Sequence, residues 1–140
     1  IIYPNNDAGS KKIINILKNS DYKIVKTLNL REYKTLLSNA SVLIGNSSSG
    51  IHEAATFKIP VVNIGTRQNG RLKPKNVVNT DYDTKQIQKK INYVLNNKVF
   101  QRGLKSLKNP YGQGNSSKKI IKLLTKIKLD NKIIQKQITY

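Results

Sequence analysis

The sequence predicts an α/β fold, a parallel sheet with helices on its faces, and three observations carry that prediction. Short apolar stretches alternate with segments whose apolar residues recur at helical spacing, the order that builds parallel sheets. The 140 residues are enough for one compact domain with its own core. No apolar run approaches the roughly 18 residues of a membrane-span candidate.

In chain order, residues 1–3 read as an apolar strand closed by the turn Pro4-Asn5-Asn6-Asp7. Residues 9–19 place Ile13, Ile14 and Leu17 at helical spacing. A second strand, 22–28, carries Ile24, Val25, Thr27 and Leu28. A short helix over 31–38 sets Tyr33, Leu36 and Leu37 on one face. Residues 41–44 form a third strand running into a serine loop, and 50–57 form a helix stopped near Pro60. Val61–Ile64 is a fourth strand, and 76–79 offer a fifth. Helices follow over 84–96 and 99–107, then a break at Asn109-Pro110-Tyr111-Gly112 and a long basic helix over 116–128. That last helix carries Ile120, Ile121, Leu124 and Ile127 as an apolar stripe, which predicts packing with its lysines facing water. Residues 129–140 read as a tail or helix extension.

Composition narrows the function classes. Hydrophobic residues are 37% of the chain, with two Phe and no Trp, so the core must come from Ile, Leu and Val and the domain is marginal. No Met occurs, even at position 1, and the chain opens inside an apparent strand; it is expected to be a piece of a longer protein. The absence of Cys excludes disulfides, thiolate metal sites and a Cys nucleophile. The net charge of +19 raises nucleic acid or an anionic surface as partner. The charge is mostly dispersed Lys among abundant Ile and Asn, the mix an AT-rich genome encodes. Arg, the better phosphate and base reader, stands only at positions 31, 67, 71 and 102. Composition bias is therefore the preferred account of the charge.

Two loops carry the candidate chemistry. Asn46-Ser47-Ser48-Ser49-Gly50 follows a strand and opens a helix, where unsatisfied N–H groups and serine hydroxyls suit an anion. Glu53 fits that picture by pointing past the phosphates toward a sugar's hydroxyls. The same stretch also fits a capping-box-like helix start that binds nothing. After the next strand, Arg67 and Arg71 stand with Gln68 and two glycines, a phosphate-friendly loop or an ordinary solvated one. Two such loops at adjacent strand ends together favour a bound diphosphate, since ligands of parallel sheets sit beyond the carboxyl ends of the strands. The lone His52 reads as solvated or capping. Asp7, Asp81 and Asp83 read as turn caps. No cluster supports a metal.

Asn46-Ser47-Ser48-Ser49-Gly50-Ile51, Glu53, Val62-Asn63-Ile64-Gly65, Arg67-Gln68, Gly70-Arg71 and Asn109-Pro110-Tyr111-Gly112 together resemble the C-terminal half of UDP-N-acetylglucosamine 2-epimerases of the hydrolysing branch. The likeness covers about residues 1–124. The Asp-Ser-Gly-Gly and Thr-Glu-Arg-Pro loops usual in the non-hydrolysing branch are not present. The resemblance implies two Rossmann-like domains facing across a cleft, the glycosyltransferase-B arrangement. Residues 1–128 would then be the C-terminal nucleotide-binding domain without its first βα unit, and the N-terminal catalytic domain would be absent. It further implies that Ser47, Ser48, Ser49 and Gly50 hold the diphosphate, that Glu53 accepts the ribose hydroxyls, and that Arg67 and Arg71 line the phosphate side. The segment 109–114 would steer the last helix toward the other domain.

The implied reaction is loss of UDP from the anomeric carbon, then water addition with inversion at C2, giving N-acetylmannosamine or a related sugar for sialic or legionaminic acid synthesis. The catalytic acid and base would lie outside this chain, so no catalytic residue, metal or cofactor is assigned here and the fragment alone is expected to be inactive. A UDP-sugar and the missing domain are the expected partners, a membrane and nucleic acid are not, and a homo-oligomer is left open. A cytoplasmic location is expected. The alternatives are a glycosyltransferase of the same fold and a basic nucleic-acid-binding module, the latter needing lysines clustered with stacking aromatics.

Overall fold

Three short apolar runs supply the sheet: β1 (Leu43–Gly45), β2 (Val61–Ile64) and β3 (Val77–Thr80). The computed structural model describes residues 1–130 and 135. The strands lie in the order β1-β2-β3 and all pairings are parallel, with Leu43 opposite Val61 and Val61 opposite Val77. Side chains alternate between the faces of a strand, yet neighbouring Val61 and Val62 are both buried. β2 is therefore covered on both faces, as parallel strands require.

Six helices flank the sheet among the described residues: α1 (Ser10–Lys18), α2 (Leu30–Ser38), α3 (Ser49–His52), α4 (Thr84–Asn96), α5 (Lys98–Lys105) and α6 (Ser116–Leu124). α4 packs on β2 and β3, and α5 packs on α4. The main core cluster joins Leu37 of α2, Ala54, Ile59 and Val61, edged by Tyr33, Leu43, Phe57 and Val77. Local chemistry sets several helix starts. Asp83 caps α4 by accepting from the Gln86 N–H at 2.9 Å, as its turn position predicts. Asn29 and Glu32 form a reciprocal capping box on α2, a signal the sequence reading passed over. Asp81 accepts from the adjacent Tyr82 N–H at 2.9 Å. Asp7 offers no side-chain cap and pairs instead with Arg67.

Several expected elements come out smaller. The strands expected at 1–3 and 22–28 reduce to one parallel bridge, Ile2 to Val25, outside the three-stranded sheet. Ile1 and Ile2 stay exposed, so little burial rewards extending that pairing. The helix expected over 50–57 stops after one turn at His52. The basic helix ends at Leu124 with none of its residues buried, and Ile120, Ile121, Leu123 and Leu124 are 55–67% exposed. Packing of that stripe within the chain is thus not found among the described residues. Of the expected tail, residues 131–134 and 136–140 lie outside the described residues.

The chain after α3 turns back through Lys58, whose φ of 58° is left-handed. The Ile59 N–H reaches the Ala54 carbonyl at 3.0 Å and the Lys58 N–H the Ala55 carbonyl at 3.2 Å, the paired bonds of a Schellman-type end. Glycine is the usual residue there. Lys58 instead lays its ammonium on the Lys105 carbonyl at 2.5 Å, at the end of α5. Lys58→Gly is expected to stabilise the chain by about 1 kcal/mol through relief of the left-handed strain, less the exposed hydrogen bond it gives up. Thermal unfolding checks this, and a lower Tm in the variant would mean that the tie to Lys105 outweighs the strain.

Candidate functional site

Because β1 and β2 are parallel neighbours, the loops that leave their carboxyl ends emerge side by side. Asn46 opens the first loop, and its carbonyl oxygen is the meeting point. It accepts from Gln68 Nε2 at 2.7 Å and from Arg67 Nη1 at 3.2 Å, both on the second loop. The serine loop and the basic loop are thereby tied together. Gln68 is 1% exposed and held in this role, and its Oε1 has no partner among the described residues. The sequence places Gln68 in this loop beside Arg67 without marking it as the buried tie between the two loops.

The predicted residues divide by what they face. Ser47 is exposed; its hydroxyl accepts from the Ser49 N–H at 3.3 Å and its carbonyl from the Gly50 N–H at 3.1 Å. Ser48 is the N-cap of α3, makes no side-chain cap bond, and is half-buried. The N–H groups of Ser47 and Ser48 donate to nothing among the described residues. Ser49 is turned inward, its hydroxyl bonded to the Tyr33 phenol of α2. Gly50 is buried, and a Cβ there would stand 2.8 Å from Val61 Cγ1. The small residue thus lets α3 lie directly on β2. Arg71 is exposed, and Arg67 pairs with Asp7 at 3.7 Å across open solvent. An exposed pair of this kind is weak, so a phosphate can displace the carboxylate.

Glu53 is the C-cap of α3 and not the third residue of a helix, which removes the capping-box reading of this stretch. α3 is only one turn long, so it carries no long summed dipole. Glu53 lines a cleft of about 570 Å³ together with Lys34, His52, Asn109 and residues 112–114. That size is within the usual range for small-ligand sites. The serine loop is not part of its lining, and at about 1.5 Å rise per residue it lies one helical turn away.

The turn at residues 109–112 clasps the end of α3. Asn109 Nδ2 donates to the His52 carbonyl at 2.7 Å and to Thr56 Oγ1 at 2.8 Å. The Tyr111 ring lies 4.5 Å from the His52 ring, and its hydroxyl donates to the Leu72 carbonyl at 2.8 Å. His52 thus packs against an aromatic. No metal-ligand cluster occurs among the described residues. No helix among them is long and apolar enough to cross a membrane.

Comparison with known proteins supplies the context for these loops. The sequence model of the UDP-N-acetylglucosamine 2-epimerase family matches residues 1–125. A hydrolysing UDP-N,N'-diacetylbacillosamine 2-epimerase of Legionella pneumophila is 36% identical over 95% of this chain. A UDP-N-acetylglucosamine 2-epimerase of Neisseria meningitidis is 43% identical over 61% of it. This chain spans 35% and 24% of those two proteins, about a third or less of their length. In structure, 90% of the chain superposes on 36% of the Neisseria meningitidis UDP-GlcNAc 2-epimerase solved with UDP-GlcNAc bound, with a TM-score of 0.67 at 19% identity. That likeness establishes the shared fold, a Rossmann-like parallel sheet with flanking helices.

Proposed function

The chain belongs to the UDP-N-acetylglucosamine 2-epimerase family, and on that premise we propose that it is the C-terminal, nucleotide-holding part of a hydrolysing 2-epimerase. The whole enzyme would release UDP from a UDP-N-acetylhexosamine and deliver the 2-epimeric free sugar to sialic or legionaminic acid-type synthesis in the cytoplasm. The observation that supports this reading is the convergence of Arg67 and Gln68 on the Asn46 carbonyl, which ties the basic loop to the serine loop at the carboxyl ends of adjacent strands.

Physical chemistry assigns the parts. When the anomeric C–O bond breaks, its electron pair leaves with the diphosphate, and charge grows on the oxygens beside the serine loop. Fixed N–H donors and a guanidinium there lower the barrier because they need no reorganisation as that charge develops. Ser47 and Ser48 supply the donors, with Arg67 and Arg71 on the phosphate side. Ser49 and Gly50 act from within, on Tyr33 and β2. Glu53, one turn on, accepts the ribose hydroxyls. Proton transfers at C2 and C3 belong to the rest of the enzyme, and this chain alone has no turnover.

Titration of the chain with UDP, GDP and a short single-stranded DNA, followed by amide NMR, tests the reading. Saturable shifts at residues 46–50 are expected with UDP. Glu53→Ala is expected to weaken UDP about 10- to 100-fold, as for loss of hydrogen bonds to a charged acceptor. Binding of DNA alone, falling steeply with salt, would discard the nucleotide seat in favour of a polyanion-binding module.

A further inference from the structure

The apolar periodicity of residues 50–57 supports a helix, yet the helix stops at His52: the Ala54 N–H already turns to the Ser49 carbonyl at 3.0 Å, and a side chain from far along the chain occupies the His52 carbonyl. Continuation would give the His52 carbonyl to the Thr56 N–H. That N–H instead takes the Glu53 carbonyl at 2.9 Å. The His52 carbonyl is occupied by Asn109 Nδ2 at 2.7 Å, and the same amide nitrogen spends its second hydrogen on Thr56 Oγ1 at 2.8 Å. Asn109 Oδ1 in turn accepts from the Tyr111 N–H at 2.9 Å, so the amide's orientation is fixed from both ends. The Tyr111 ring on His52 and its hydroxyl on Leu72 hold the turn in place.

The residue at this interruption is Glu53, whose N–H still donates to the Ser49 carbonyl at 2.9 Å and whose peptide carries the His52 carbonyl that Asn109 holds. It stands at the C-cap with φ −99° and ψ −38°, and its side chain shares the cleft wall with Asn109. We propose that Asn109 is a positioning residue for the nucleotide: by taking the His52 carbonyl it sets the orientation of Glu53, and through it the preference for a ribose diol over a deoxyribose. The proposal rests on the nucleotide-holding reading given above. Nothing in it requires Asn109 to touch the ligand.

Asn109→Asp isolates the donor. The carboxylate keeps an oxygen for the Tyr111 N–H but has no hydrogen to give to His52 or Thr56. Thr56→Val removes one of the two acceptors at an exposed position and is a milder second variant. Each is titrated with UDP and with 2′-deoxy-UDP. The wild-type chain is expected to prefer UDP by about tenfold or more, the scale of hydrogen bonds to a charged acceptor. Asn109→Asp is expected to bring that ratio close to one, with Thr56→Val between. A loss of stability would weaken both nucleotides together and leave the ratio untouched.

A readout without ligand accompanies the titration. Freed of Asn109, the His52 carbonyl becomes available to the Thr56 N–H, and the Cα chemical shifts of residues 53–56 are expected to move toward helical values. Discrimination by the wild type that persists in Asn109→Asp, or Cα shifts that stay put, overturns the positioning role and leaves the nucleotide seat standing. Failure of the wild type to bind either nucleotide overturns the seat and the positioning role with it.

Discussion

Ile51→Ala is expected to lower stability by about 2–5 kcal/mol, the range for deleting a fully buried Ile side chain. Ile51 is 0% exposed, and it is the residue that anchors the one-turn α3 in the core. In a domain whose total stability is of order 5–15 kcal/mol, that loss is a large share. It corresponds to a Tm lower by roughly 6–20 °C for a chain of this size. Urea unfolding checks it: the midpoint should fall with the slope m unchanged. The same substitution should weaken nucleotide binding, because the open N–H groups of Ser47 and Ser48 are presented by the segment that Ile51 pins down. A midpoint within error of the wild type would mean that the core relaxes around the cavity and that α3 is held chiefly by the Asn109 clasp.

Gly50→Ala carries the second large effect. The added Cβ would stand 2.8 Å from Val61 Cγ1, inside ordinary contact distance and against a stiff, buried, β-branched side chain. Overpacking of this kind costs about 1–3 kcal/mol, and the helical preference of Ala over Gly, about 1 kcal/mol at most, offsets only part of it. The double variant with Val61→Ala decides the cause. If the clash is with Val61, the two changes together should cost less than their sum, by a coupling of about 0.5–3 kcal/mol. Strict additivity would shift the explanation from packing to the backbone of the loop. The outcome also separates two uses of the glycine, since a residue needed only for close ligand approach would leave stability unaffected.

The sheet was legible in the sequence where burial on both faces demanded it. Val61–Ile64 and the helix Thr84–Asn96 match their expected bounds because a β-branched apolar stretch, broken only by Asn63, and an Asp cap act locally. The 1–3 and 22–28 pairing was overestimated for the opposite reason: its apolar residues suit a strand, but exposed Ile1 and Ile2 gain little by pairing. The short α3 was invisible because local apolar spacing says nothing of the Ala54 N–H turning to the Ser49 carbonyl, or of Asn109, 57 residues away, occupying the His52 carbonyl. Among the site residues, sequence pattern found the two loops but not their internal roles. That Ser49 turns toward Tyr33, or that Gln68 and not Arg67 is the buried tie, depends on contacts between segments far apart in the chain.

The slender attachment of the first 28 residues bears on how the chain comes apart. They are joined to one another by the Ile1–Lys23, Ile1–Val25 and Tyr3–Val25 bonds, and α1 contributes no buried residue. Such a segment can open in a fluctuation much smaller than global unfolding, while β2, covered on both faces, opens only when the whole core does. The protein is therefore built with two grades of permanence. Asp7 rides on the looser part and Arg67 on the firmer one, so each local opening of the N-terminal segment momentarily frees the Nη2 end of the guanidinium while Nη1 stays on the Asn46 carbonyl.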